Sequence, residues 1–264
     1  MTISTIGFAG LGLIGGSIAK AVRRVHPDMK IIAFDTDRES LTAALMDKTL
    51  NQAHDHLSQA FSQCDLIFLC APVNFNVQNL KILKNIAADH CIFTDVGSVK
   101  TPIHSAVREL GMEHCFIGGH PMVGSEKSGY ANASDRLLEN AYYILTPSPA
   151  TPDKSVAAMT QLIQSISALP IVLDARRHDY IMAAISHLPH MIAYTLVNLV
   201  RDFDDEQQHM RMLAAGGFKD ITRIASSSPI MWQQICDENR DNLLEIMDHY
   251  MDSLRQVSQA VQSG

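Results

Sequence analysis

The residues best suited to chemistry lie between positions 118 and 129, GGHPMVGSEKSG, where His120 sits among glycines. Imidazole titrates near neutral pH, so such a histidine can hold or take a hydroxyl proton while the glycines let backbone close on a ligand. The pattern predicts a tight loop. Asp95-Val96-Gly97-Ser98-Val99-Lys100 ends a predicted strand and puts the Ser98 hydroxyl at the carboxyl edge of a sheet, where open α/β folds bind ligands. The competing use of Ser98 is to cap a helix over 100–110. Lys219 and Arg223 stand four apart, so one helical face would carry two cations suited to a carboxylate, or else a solvated face and a pair with Asp220. His187 and His190 are three apart around Pro189, without a third ligand at an interpretable spacing. They read as a buried, hydrogen-bonded pair rather than a metal site, and no metal is expected.

These groups need a scaffold, and the N-terminus supplies its signature. Gly10-Leu11-Gly12-Leu13-Ile14-Gly15 follows a strand-like run, Thr5–Ala9, and opens a helix, the context in which G-x-G-x-x-G binds a dinucleotide pyrophosphate on a helix N-terminus. Leu13 and Ile14 lie inside that contact. Asp35 ends the next predicted strand, where a carboxylate accepts hydrogen bonds from ribose hydroxyls and repels a 2′-phosphate. NAD is therefore expected over NADP. Arg38, three residues on, is the cation that could pair with a 2′-phosphate instead, and capping of the following helix is the other use of Asp35.

Strand-like runs at 5–9, 31–35, 66–71, 92–96, 115–118, 142–146 and 171–173 alternate with helical stretches, which predicts parallel strands joined by crossover helices. Beyond Arg177 only helical patterns remain, over 178–201, 206–225 and 229–261. The expected division is residues 1–173, an α/β dinucleotide-binding domain of Rossmann type, followed by 174–264, an all-α domain. Methionines at helical spacing in the second part suit a core or a subunit interface. A helical domain this small is expected to bury part of its apolar surface against a second copy.

With 47% hydrophobic and 19% charged residues, the 264-residue chain can bury a large core. A formal charge of -7 without any lysine- and arginine-rich run argues against nucleic acid and anionic membranes as partners. Five cysteines without a C-x-x-C pair suit a reducing compartment, and the N-terminus has no export signal, so a cytoplasmic location is expected. The apolar stretch 181–200 carries His187, Pro189, His190 and Asn198 and fits a buried helix better than a membrane span.

Taken in order, GLGLIGGS, DVGSVK, GGHPMVGSEKSG, SHLPH and GGFKDITRIASSSPIMW resemble the prephenate dehydrogenase family of tyrosine biosynthesis over nearly the whole chain. The resemblance implies an NAD-binding Rossmann-type domain followed by a helical domain that makes the homodimer, with the active site in the cleft between them. It implies oxidation of prephenate with loss of carbon dioxide to give 4-hydroxyphenylpyruvate. His120 then matches the histidine that bonds the ring hydroxyl, and Ser98 the serine that assists it. Arg223 matches the arginine that binds a substrate carboxylate, with His190 and Lys219 in its pocket and Ser125, Glu126 and Trp232 around it. Gly10, Gly12, Leu13, Ile14, Gly15, Asp35 and Arg38 fall at the cofactor site. The chain looks like the minimal, single-activity form. Some members of the family prefer arogenate or accept both substrates. A β-hydroxyacid-type dehydrogenase, with Lys219 as its catalytic lysine, is the alternative enzyme, and a nucleotide-sensing binding protein the alternative outside enzymes.

Overall fold

A computed structural model describes residues 3–124 and 127–264. The expected sites Ser125 and Glu126 lie outside the described residues. The chain divides into two compact units, Met1–Arg176 and Arg177–Gly264.

The first unit is built on one eight-stranded sheet in the order β3-β2-β1-β4-β5-β6-β7-β8. Its strands are β1 (Thr5–Ala9), β2 (Lys30–Phe34), β3 (Gln52–His54), β4 (Leu66–Leu69), β5 (Ile92–Asp95), β6 (Phe116–Pro121), β7 (Tyr142–Pro147) and β8 (Leu169–Val172). Helices α1 (Leu13–Val25), α2 (Arg38–Met46), α3 (Val73–Leu83), α4 (Thr101–Glu109) and α5 (Asp153–Ser165) connect them. Both faces of the central strands are covered, so these strands are apolar on both parities. Ile6, Phe8, Leu66 and Phe68 pack with α1, α2 and α5, while Ala9, Ile67, Leu69 and Phe93 pack with α3 and α4. This is the Rossmann-type arrangement expected.

Two features depart from the predicted strands. The sheet is parallel from β1 to β6, but β7 pairs antiparallel with β6, Gly119 opposite Leu145 and His120 opposite Ile144. Between Pro121 and Tyr142 the described chain forms only a single short turn, Tyr130–Asn132, and without a crossover helix the next strand returns antiparallel. The edge strand β3 has no counterpart in the prediction, since three residues are too few to show alternation.

The second unit is helical. It contains a π-turn (Ala183–His187), α7 (Leu188–Phe203), α8 (His209–Leu213), α9 (Gly216–Thr222), a 3₁₀ turn (Arg223–Ser226), α10 (Pro229–Glu238) and α11 (Arg240–Ser263), and α6 (Ala175–Met182) leads into it. The π-turn sits directly before Pro189, whose ring would clash with the carbonyl four residues back in a regular helix; a wider turn relieves the clash. The run expected at 206–225 is broken around Ala214 and Ala215, and that at 229–261 is broken at Asn239.

The apolar helix around 181–200 is not buried within the chain as the sequence suggested. Only Ala193 of α7 is fully buried, and Leu199 and Phe203 are exposed. Among the described residues, Ala175–Phe203 is long and apolar enough by length and composition to cross a membrane. A helical unit of this size has too few elements to wrap such a run on all sides.

Candidate active site

The switch point of the first unit lies between β1 and β4, where strand order reverses and ligands of such sheets bind. A cleft of about 410 Å³ opens there, lined by Gly10, Gly12, Asp35, Cys70, Ala71 and Phe75 among others. Gly10 turns the chain with φ +107°, and a β-carbon on it would stand 2.8 Å from the Cys70 carbonyl carbon. A β-carbon on Gly15 would stand 2.6 Å from the Gly10 oxygen, so only glycine lets α1 approach this closely. At Gly12 the same position meets open space.

The residues present fit a dinucleotide. Gly12 caps α1 without a side-chain bond and the first turn holds no acid, which leaves its backbone donors open to an anion. Asp35 accepts the Leu11 N–H at 2.5 Å and the Asp37 N–H at 2.8 Å, bracing the glycine loop from the end of β2. It does not cap α2; Asp37 does, accepting from the Glu39 N–H. Arg38 turns to Asp55 at 2.8 Å. Asn76, which no motif marks, is buried and braces the opposite wall, donating to the Leu69 and Ala71 carbonyls and accepting from the Ala71 N–H.

His120 and Ser98 come from the carboxyl ends of adjacent strands, β6 and β5, which run parallel with Thr94 opposite Ile117. His120 is half-buried and stands in the strand β6, not in the loop the sequence suggested. Its two preceding glycines make room for packing beneath it rather than for a ligand. A β-carbon on Gly118 would stand 2.2 Å from Thr146 Oγ1, and one on Gly119 2.4 Å from the Asp95 carbonyl oxygen. Ser98 precedes α4, whose N-cap position is Lys100 and which has no side-chain capping bond, so the capping role falls away.

Below these two residues lies an ion pair, Lys100 with Asp95, at 0% and 1% side-chain exposure. Asp95 accepts the Gly97 N–H at 2.9 Å and the Gly119 N–H at 3.1 Å, and Lys100 Nζ donates to the Gly119 carbonyl at 2.7 Å. The only sequence signal was a pair of opposite charges five apart, flanking a Gly-Ser turn.

In the second unit, Trp232 of α10 is buried and meets the rings of both histidines. His190 stacks on it with ring centroids 3.6 Å apart, and His187 meets it edge-on at 5.9 Å. They are thus not bonded to each other. Asn239 donates to His187 Nδ1 at 3.1 Å and to the Asp179 carbonyl at 2.7 Å. Burial pushes His187 down to about 4 and also lowers His190, so both are neutral near pH 7. His190 Nδ1 lies 3.0 Å from the Ser186 carbonyl and must donate there, which leaves Nε2 as an acceptor. Lys219 lies in α9 and Arg223 opens the following 3₁₀ turn, both exposed. Among the described residues no group of three or more His, Cys, Asp or Glu side chains could hold a metal ion.

Residues 18–172 match the nucleotide-binding domain of prephenate dehydrogenase, and residues 174–264 match its dimerization domain. The chain belongs to the prephenate dehydrogenase family. It is 37% identical over 255 residues to a prephenate dehydrogenase of Bacillus subtilis, covering 96% of this chain and 69% of that protein. A cyclohexadienyl dehydrogenase of Zymomonas mobilis is 30% identical over 98% of the chain and 88% of its own length. The crystal structure of the Aquifex aeolicus prephenate dehydrogenase in complex with hydroxyphenyl propionate and NAD+ superposes with a TM-score of 0.92 at 31% identity, covering 100% of this chain and 92% of that one. Membership in this family sets aside the β-hydroxyacid and nucleotide-sensing alternatives. The chain is an NAD-dependent oxidoreductase with a nucleotide-binding domain followed by a helical dimerisation domain.

Proposed function

We propose that this chain oxidises prephenate to 4-hydroxyphenylpyruvate and carbon dioxide, with His120 and Ser98 as its catalytic residues. The observation that carries this reading is their emergence from the carboxyl ends of adjacent strands in a chain that matches the family over residues 18–172 and 174–264. Bound NAD supplies the hydride acceptor. His120 accepts the proton of the ring hydroxyl as that carbon is oxidised, and Ser98 orients the same hydroxyl. Arg223 holds a substrate carboxylate with two parallel hydrogen bonds, and Lys219 adds a second positive charge. Asp35 receives the adenosine ribose hydroxyls, and Arg38, drawn to Asp55, is turned toward a carboxylate rather than a 2′-phosphate. Ser125 and Glu126 complete the substrate side on the strength of the motif alone.

A dual preference is the second reading. Neutral His190, with Nε2 as an acceptor, suits an ammonium donor such as that of arogenate, and a cyclohexadienyl dehydrogenase is among the relatives. We read the exposed apolar faces of α7 and α11 as the homodimer contact, and five cysteines outside any disulfide as fitting the cytoplasm. For the catalytic assignment, His120→Asn should bind NAD as the parent does while turnover falls roughly 10²- to 10⁴-fold, the range for a positioned acid-base group. Near-parental turnover would remove His120 from the mechanism.

A further inference from the structure

We infer that the buried Asp95–Lys100 pair is a positioning clamp that fixes the Ser98 and His120 arms against each other, an inference that rests on the catalytic reading above. Three of its bonds fall one residue from a catalytic position. Asp95 takes the N–H of Gly97, the neighbour of Ser98, and the N–H of Gly119, the neighbour of His120. Lys100 holds the Gly119 carbonyl, so both backbone groups of Gly119 are gripped by one ion pair. With 0% and 1% exposure, neither side chain reaches the surface to touch a substrate, and their action runs through the backbone.

The surrounding glycines are consistent with this device. A β-carbon on Gly97 would stand 2.9 Å from Asp95 Oδ2, one on Gly118 3.2 Å from the Lys100 stem, and one on Gly119 3.0 Å from the Tyr143 hydroxyl. That hydroxyl is buried and makes no hydrogen bond among the described residues, so the layer under Gly119 is polar but closed. Two opposite charges in such a layer are expensive to desolvate, and well-packed apolar residues often replace them without loss of stability. Retaining them is explained when their bonds place something. Here that something is the pair of strand ends, where a displacement on the order of 1 Å costs about a hundredfold in rate.

The test is the double variant Asp95→Asn/Lys100→Met, which removes both charges and leaves neither one buried alone. The clamp predicts a thermal midpoint near that of the parent, a KM for NAD within about threefold, and a kcat lowered roughly 10- to 100-fold. A parental kcat would overturn it. Amide hydrogen exchange on the unaltered protein gives a measurement that needs no variant to fold: the Gly97 and Gly119 N–H groups should be as protected as central-strand amides such as Ile67. Exchange at surface-loop rates would overturn the clamp equally. An unaltered protein that forms no reduced nicotinamide with prephenate would refute the reaction instead, and exchange would then judge the clamp by itself.

Discussion

At the scale of single residues, the cofactor motif is readable because it is a local pattern of types, while His120 and Ser98 draw their proposed roles from the family resemblance. Gly10, Gly15 and Asp35 announce themselves by spacing, and in the structure the two glycines allow the close approach while Asp35 braces the loop. What spacing did not reveal is the role of Asp95 and Lys100, since their partners Gly97 and Gly119 meet only when β5 and β6 lie side by side. The use of the glycines before His120 is hidden from spacing for the same reason: their lack of a side chain makes room for Thr146 and the Asp95 carbonyl, which are distant in sequence. The role of Arg223 comes from the family resemblance, since its spacing from Lys219 leaves a solvated face equally open. If it grips a substrate carboxylate in ground and transition states alike, Arg223→Ala should raise the KM roughly 10- to 100-fold with kcat little changed, the worth of a charge-assisted bond. Steady-state kinetics check this, and an unchanged KM would assign the arginine another role.

At the scale of elements, the central strands and α1 are legible as β-rich runs alternating with helical stretches, whereas β3, the antiparallel direction of β7 and the π-turn are not. Each depends on length or on a clash rather than on pattern. The π-turn delivers His187 into the helical unit, where Asn239 holds it as the neutral tautomer. Its protonation thereby becomes a stability term. An unfolded histidine takes up a proton below about pH 6.5, whereas folded His187 does so only below about 4. Over that window the unfolded state binds more protons, so stability is fully present above pH 6.5 and declines as pH falls toward 4. The loss is on the order of 3 kcal/mol, and buried His190 shifts in the same direction. Thermal unfolding at pH 7 and pH 4.5 should show this decline, with a smaller one in His187→Gln. Identical pH dependence in the two proteins would contradict it.

At the scale of the whole molecule, the two-part organisation was legible in the switch from strand to helical patterns, and the family match follows it. The helical part was less legible, because a run of apolar residues reads alike whether its cover comes from its own chain or from another. From Met251 to the end of α11 every residue is exposed, including Leu254, Val257 and Val261. A stripe of this kind left in water is unfavourable, and the proposed homodimer would cover it. Sedimentation equilibrium should give twice the 29.1 kDa chain mass, and Leu254→Glu should shift the population toward monomer; a parental monomer would contradict the dimer.

The central claim concerns the reaction, and one measurement tests it most directly: reduced nicotinamide and carbon dioxide followed together while the protein acts on prephenate with NAD. The account predicts that both are released in equal amounts. Reduction without carbon dioxide, or no reduction at all, would contradict it.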